Sequence, residues 1–431
     1  MDRVPLRQVA GLALPALPVL AAEPLYLLVD TAVVGHLGGT QLGALGVGAI
    51  VLAQLSTQLT FLSYGTTARA ARLHGAGRRD QAVAEGVQAT WLALGVGVLL
   101  VAVGQLLARP VAEALAGPGA VADAAVGWLR IALLGVPLIL VTLAGNGWMR
   151  GVQDTRRPLR YVLAGNAVSA VLCPLLVGGW GFEGSAVANV AGQVVAGTLF
   201  LRAIGSERVP PRPRVEVMRA QLVLGRDLVL RSLAFQACFV SATAVAARTS
   251  VGAVGAHQVV LQLWTFQALV LDSLAIAAQS LVGAALGAGE DRRATGLARQ
   301  LSGYGFALGV VFAVGFAALA GVLPHVFTDD PVVLAEIPHA WWFFVALQPI
   351  AGIVFALDGV LLGAGDAKFL RTATLLAAVV GFLPLVWLSL AFGWGLVGIW
   401  LGLALFMVAR LGSLVLRARS GRWAVVGAIR T

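Results

Sequence analysis

The sequence predicts an all-α integral membrane protein of about twelve transmembrane helices, in two six-helix lobes related by an internal parallel repeat. Three observations lead there. Of 431 residues, 59% are hydrophobic and only 12% charged, where a soluble domain carries about 25% charged residues. Apolar runs of the ~20 residues needed to cross a hydrocarbon core recur along the whole chain. The chain also repeats itself at a distance of about 210 residues: Gly179-Trp180-Gly181-Phe182-Glu183-Gly184 returns as Gly393-Trp394-Gly395-Leu396-Val397-Gly398. Gly75-Ala76-Gly77 returns as Gly287-Ala288-Gly289, and Pro137, Asn146-Gly147, Gly151 and Asp154 as Pro349, Asp358-Gly359, Gly363 and Asp366.

The runs centre near residues 22, 54, 97, 136, 170 and 193 in the first half. Those of the second half centre near 236, 270, 311, 350, 381 and 405. Lipid offers the backbone no hydrogen bonds, so each run is expected to be helical. The alternating strands of an outer-membrane barrel are absent from the sequence. In the first run Pro15, Pro18 and Pro24 free backbone carbonyls and permit a bend between half-helices. Residues 1–201 form the first lobe. Residues 202–222, with Pro210, Pro211, Pro213 and several arginines, stop the membrane helix and make a cytoplasmic linker. Residues 223–431 form the second lobe. Six crossings return the chain to its starting side, so the halves are parallel repeats about an axis along the membrane normal.

The net charge of +10 is distributed by side. Of 30 Lys and Arg, 27 fall near one set of loops, from Arg3 and Arg7 through Arg202 to Arg231 and on to Arg410 to Arg430. Arg109, Arg130 and Arg248 fall on the other side, where Asp123, Asp329, Asp330 and Glu336 also lie. This positive-inside bias predicts a multi-pass inner-membrane protein with both termini cytoplasmic, and no nucleic-acid partner. The first run holds Glu23 and Asp30 and lacks a small-residue cleavage site, which argues against a cleaved signal peptide. Cys173 and Cys238 read as free buried thiols.

Intramembrane ionisable groups are costly and are the first functional candidates. Glu23, Tyr26 and Asp30 stand at i, i+3 and i+7, along one helix face. A low dielectric disfavours the charged form of a carboxylate, which suits a proton or cation switch on a bendable helix. The alternative reading leaves Asp30 solvated near a helix end, capping the Gly35 to Gly39 loop. In the second half, Asp272 and Gln279 lie seven apart, and Asp358 precedes Asp366 where the first half has neutral Asn146. Asp272 and Asp358 read either as path residues or as buried helix–helix hydrogen bonds. Asn166, Asn189, Gln193, Gln258 and Gln262 are candidates to line the same cavity. His257 is the one histidine expected inside a membrane helix, and no His/Cys/Asp spacing suggests a metal site. No P-loop is present, since the single lysine, Lys368, precedes Phe369. With no cofactor expected, coupling to a H⁺ or Na⁺ gradient follows, and repeated halves are the pattern of many secondary transporters.

Val29-Asp30-Thr31-Ala32-Val33-Val34-Gly35-His36-Leu37-Gly38 resembles the first helix of the DinF branch of the MATE multidrug exporters. So do Leu271-Asp272 to Gly283, and Leu357-Asp358 to Asp366, and the resemblance runs over nearly the whole chain. It implies antiport of organic compounds against H⁺ or Na⁺, with Asp30 matching the acidic residue of a bent first helix. One departure matters. Many relatives carry Asn-x-x-x-Asp-Pro in the fifth helix, where this chain has Ser169 and Cys173 before Pro174. The missing second carboxylate leaves Asp30 with Glu23 as the more economical proton site, because a thiol is a poor ligand for a hard cation.

The expected function is therefore H⁺-coupled, or less favourably Na⁺-coupled, export of amphipathic or cationic small organic substrates by alternating access. The expected partners are those substrates and membrane lipid, with the protein a monomer. A lipid-linked precursor flippase would need more helices or a strongly cationic central cavity for pyrophosphate, yet nearly all arginines are assigned to cytoplasmic loops. An integral-membrane enzyme would need a nucleophile or metal constellation that the sequence does not show. A channel fits diverged halves less well than alternating access does.

Overall fold

The computed structural model describes residues 4–428; Arg3 and Arg430, counted in the charge distribution, lie outside the described residues. Every regular element among those residues is helical. The first half contains α1 (Leu6–Gly35), α2 (Gly39–Leu59), α3 (Phe61–Gly75), α4 (Arg79–Ala116), α5 (Ala120–Ala132), α6 (Val136–Gly151), α7 (Arg156–Trp180) and α8 (Glu183–Ser206). The second contains α9 (Val215–Thr249), α10 (Val251–Gly287), α11 (Asp291–Ala318), the short α12 (Leu323–Phe327), α13 (Pro331–Gly363), α14 (Ala367–Leu376), α15 (Leu383–Ala391) and α16 (Gly395–Arg419). Counting α2–α3, α5–α6 and α14–α15 as single crossings, twelve segments are long and apolar enough to span a membrane. The twelve apolar runs of the sequence are thus all found as helices.

Breaks within crossings follow backbone chemistry. A 3₁₀ turn, Leu133–Gly135, separates α5 from α6 just ahead of Pro137, whose missing N–H interrupts the helical ladder. A π segment, Ala377–Phe382, precedes Pro384 in the same way. α1 is assigned as one continuous helix despite Pro15, Pro18 and Pro24. Only residues 207–214 between α8 and α9 are non-helical.

The chain divides into two compact units. One is Leu14–Gly225; the other runs from Arg226 onward and takes in the chain's start up to Ala13. Inside the first, α3 packs on α6 and α4 on α6 through glycines. A Cβ on Gly97 would come within 2.5 Å of Pro137 Cα, and one on Gly147 within 2.7 Å of the Ser63 carbonyl. Inside the second, Gly309 stands equally close to Pro349, its Cβ meeting Cα at 2.7 Å, and Gly359 to Ala275. The two pairs of the first unit return as the two of the second, every residue 212 positions later, so the repeat persists in the packing itself. Backbones this close tolerate no side chain, which is how small residues hold membrane helices together.

Outside the crossings, Glu207 receives both Arg79 guanidinium nitrogens, at 2.5 and 3.0 Å, and one from Arg157 at 3.5 Å. The Arg79 hydrogen bond, ahead of the charge of Arg157, holds the Glu207 carboxyl below the usual carboxylate range. Gln153, after α6, has φ 63°, in the left-handed region that disfavours side chains; its repeat counterpart is Gly365, with φ 69°.

Candidate functional site

In the first unit three helices close around Asp30. α7 and α8 approach within backbone contact, Gly165 against Gly192, and Ser169 donates its hydroxyl to the Ala188 carbonyl at 3.0 Å. That pairing fixes Cys173 on α7, whose thiol donates to Asp30 Oδ1 at 3.3 Å. Cys173 is fully buried with Val177 and Ala188, and Val33 of α1 packs on the same cluster. Asp30 is 1% exposed. Tyr26 is buried one turn earlier beside Asp30, with Asn189 of α8 near its ring hydroxyl. Ser185 faces the same carboxylate, and its hydroxyl accepts from Trp128 Nε1 at 2.7 Å.

The electrostatics of this pocket are unusual for a buried acid. No arginine, lysine or histidine pairs with Asp30 among the described residues. The Tyr26 hydroxyl and Asn189 Oδ1 are buried with no hydrogen-bond partner. An unpaired buried charge costs several kcal/mol, and each unpaired polar group costs roughly 1–3 kcal/mol more. Such a site is chemically suited to take a proton, or a cation that brings its own positive charge. Asp30 lies five residues inside the end of α1 and is not a solvated cap.

The other residues singled out in this half are less convergent. Glu23, seven residues before Asp30 on the same helix, is exposed and makes no hydrogen bond or ion pair among the described residues. The contacts from α1 to α7 are at Asp30, bonded to Cys173, and at Val33, packed on the same cluster. Asn166 spends its amide on its own helix, donating to Val162 O at 2.9 Å. Gln193 packs its stem against Gly135 of the 3₁₀ turn. Trp128 and Ser185 complete the pocket, and nothing in their spacing announced them.

In the second unit, α10 and α13 run parallel in contact, from Gly252 against Val332 to Gly363 against Gln279. His257 is 3% exposed, both ring nitrogens lack partners, and its ring lies 6.0 Å edge-on from Trp400. Gln258 and Gln262 are exposed and point away from it. Asp272 is half-buried and Gln279 buried, further along α10. Asp358 lies near the level of Ala275, about 27 Å along the helix axis from His257. His257 therefore lies toward one end of α10 and Asp358 toward the other, with Gln279 facing Gly363 further along.

Asp358 is where the structure corrects the sequence reading. Arg231 of α9 and Arg410 of α16 both donate to Asp358 Oδ2, at 2.7 and 2.5 Å. Neither arginine is in a loop. Arg410 is 2% exposed, and the Phe235 ring lies 4.9 Å from its guanidinium and 5.5 Å from that of Arg231. Asp358 Oδ1 and Arg231 Nε have no partner. The assignment of nearly all arginines to cytoplasmic loops therefore fails at Arg231 and Arg410. Two cations closed around one acid do not, however, make the open cationic cavity a pyrophosphate cargo needs. The register of Gly184 and Gly398 places Ala196 opposite Arg410, so the first half lacks both the acid and this arginine. An arginine inside an apolar run, with an acid in another run, was the available signal.

No group of three or more His, Cys, Asp or Glu side chains is placed to hold a metal among the described residues. Twelve apolar crossings, a packing repeat and a buried uncompensated acid define a multi-pass secondary transporter of the membrane. The chain belongs to the MatE family, whose profile matches it twice, over residues 15–175 and 228–388. The family comprises membrane transporters, not enzymes. The chain is 33% identical to Protein DETOXIFICATION 44, chloroplastic, of Arabidopsis thaliana, across 96% of this chain and 83% of that one. It is 32% identical to DNA damage-inducible protein F of Escherichia coli, across 96% and 92%. A solved MATE structure in a bent conformation superposes with a TM-score of 0.88 at 19% identity, covering 97% of this chain and 95% of the other. A MOP-superfamily transporter from Pyrococcus furiosus superposes at 0.86 and 19% identity, covering 99% and 97%. These last two establish a shared fold.

Proposed function

We propose that this protein is an inner-membrane multidrug antiporter that exports amphipathic or cationic organic compounds by alternating access, coupled to H⁺ entry through Asp30. The observation that carries it is a carboxylate 1% exposed with a thiol as its hydrogen-bond donor and no cationic partner. In that setting, protonation removes a charge that the pocket does not balance. A proton biases two conformers only if they hold it with different affinity, and Pro15, Pro18 and Pro24 give α1 places to change its path around Asp30. Tyr26 and Asn189 supply the unpaired groups that a water or substrate amine would meet. H⁺ is favoured over Na⁺ because Cys173 supplies sulfur where a hard cation wants oxygen. Both termini are assigned to the cytoplasm, and the working unit to a monomer. Relatives in bacteria described as probable multidrug resistance proteins support the substrate class.

The experiment is substrate uptake into everted vesicles under an imposed pH or Na⁺ gradient. Wild type is expected to respond to the pH gradient, and Asp30→Asn to lose that response. Retained gradient-driven uptake in Asp30→Asn removes the assigned role.

A further inference from the structure

At the end of the second unit from which α11 starts, a cleft of about 1210 Å³ opens between the start of α1 and one face of α11. Its architecture is specific. Arg292, Gly296, Arg299 and Gly303 are spaced by four, three and four residues, so they form one stripe along α11. Gln300 beside them clamps the chain's start: its Oε1 accepts from Val4 N at 3.1 Å and its Nε2 donates to Val4 O at 2.6 Å. The same Nε2 donates to Tyr304 Oη at 2.8 Å, which sets the inner wall.

Charge and shape change along the cleft. The outer end carries Arg292, Arg293 and Arg299 against one lining acid, Glu290, which is taken by Arg293 at 2.8 Å. Asp291 is exposed nearby, yet Arg292 and Arg299 make no ion pair among the described residues. The inner end is open and carries no charge, and its polar groups, Gln300 Nε2 and Tyr304 Oη, are bonded to each other. A Cβ on Gly303 would meet nothing within 4 Å, whereas Gly305 and Gly309 on the packed face touch the backbone of α13. Gly303 is thus not required by helix packing, and the room it leaves belongs to something else. From Arg292 to Tyr304 the helix rises about 18 Å, close to the ~15 Å hydrocarbon depth of one leaflet.

We propose that this cleft is a binding site for an anionic glycerophospholipid, its phosphodiester held by Arg292 and Arg299 and one acyl chain lying along Gly303. Guanidinium groups recognise phosphate through paired N–H donors, and basic pockets between membrane helices select acidic headgroups. The bound lipid spans the foot of α1, the helix that also bears Asp30, and so ties leaflet charge to that helix. The orientation proposed above enters only in naming the cytoplasmic leaflet as its source.

The test uses the full chain in mild detergent, offered equal amounts of phosphatidylglycerol and phosphatidylcholine, with retained lipid counted by native mass spectrometry. Wild type retains phosphatidylglycerol preferentially, and added inorganic phosphate does not displace it. R292Q/R299Q loses that preference, by about fivefold for each arginine removed. G303W leaves every charge in place, fills the inner end and also lowers phosphatidylglycerol retention. R419Q, outside the cleft, keeps wild-type selectivity. The proposal is overturned if R292Q/R299Q or G303W retains the lipid as wild type does, if inorganic phosphate displaces it, or if R419Q loses it equally. Asp30→Asn retains the lipid preference while losing coupled transport, so the two proposals fail separately.

Discussion

The Cys173 thiol donates to Asp30 Oδ1 across 3.3 Å, joining α7 to α1 inside the Leu14–Gly225 unit. A sulfur therefore occupies the position from which a second carboxylate would share a cation with Asp30. Cys173→Asp adds oxygen ligands and a second acid to the pocket. Transport by the variant is expected to become Na⁺-stimulated, while wild type is not. An equal Na⁺ response in both proteins, measured at fixed pH in proteoliposomes, counts against the coupling assignment.

Asp358 is shared by half-buried Arg231 and buried Arg410, so its neutralisation leaves two cations without the acid between them. Asp358→Asn is expected to cost about 3–5 kcal/mol of stability. Removing a cation as well, in Asp358→Asn/Arg410→Met, should recover a large part of that loss. Thermal unfolding in detergent reads the difference; a double variant as unstable as the single one would show that charge balance is not what the cluster supplies.

Gln153 holds φ 63° where the sister turn has Gly365. A side chain in that region costs about 1 kcal/mol, so Gln153→Gly is expected to raise stability by up to that amount. The same thermal measurement decides it, and a lowered midpoint would contradict the strain argument.

Glu207 gives a pH signature outside the membrane. Its carboxyl is held below its ordinary value of 4.5 by Arg79, so folding favours the ionised form. The stability it contributes is present above the unfolded value and is lost as pH falls through the lower, folded one. Between neutral pH and about 5 its contribution is flat. Below 4.5 wild type should lose stability more steeply than Glu207→Gln, as unfolding midpoints across that range would reveal.

The crossings were legible because a bilayer demands about 20 apolar residues and internal hydrogen bonding from each, leaving helix as the only solution. Asp30 was legible for the same reason, as an acid with nowhere polar to go. Its pocket was not: spacing places Glu23, Tyr26 and Asp30 on one face, but only tertiary packing brings Cys173 and Ser185 to Asp30. Arg231 and Arg410 were misplaced because counting charges by loop assigns each to the nearest end. Arg231 sits 16 residues into α9, about 24 Å along it. His257 and Gln258 are neighbours in sequence but about 100° apart around the helix, one buried and the other exposed.

The triad on Asp358 has a consequence for biogenesis. Arg231 precedes its acid by 127 residues, and the acid precedes Arg410 by 52. During synthesis α9 therefore enters the bilayer before Asp358 exists, with Asp227 one turn earlier as the acid on its own helix, and waits three further crossings for that partner. Insertion of α9 is expected to be completed only when α13 supplies the acid. A nascent chain stopped short of that point should be a substrate for membrane quality control.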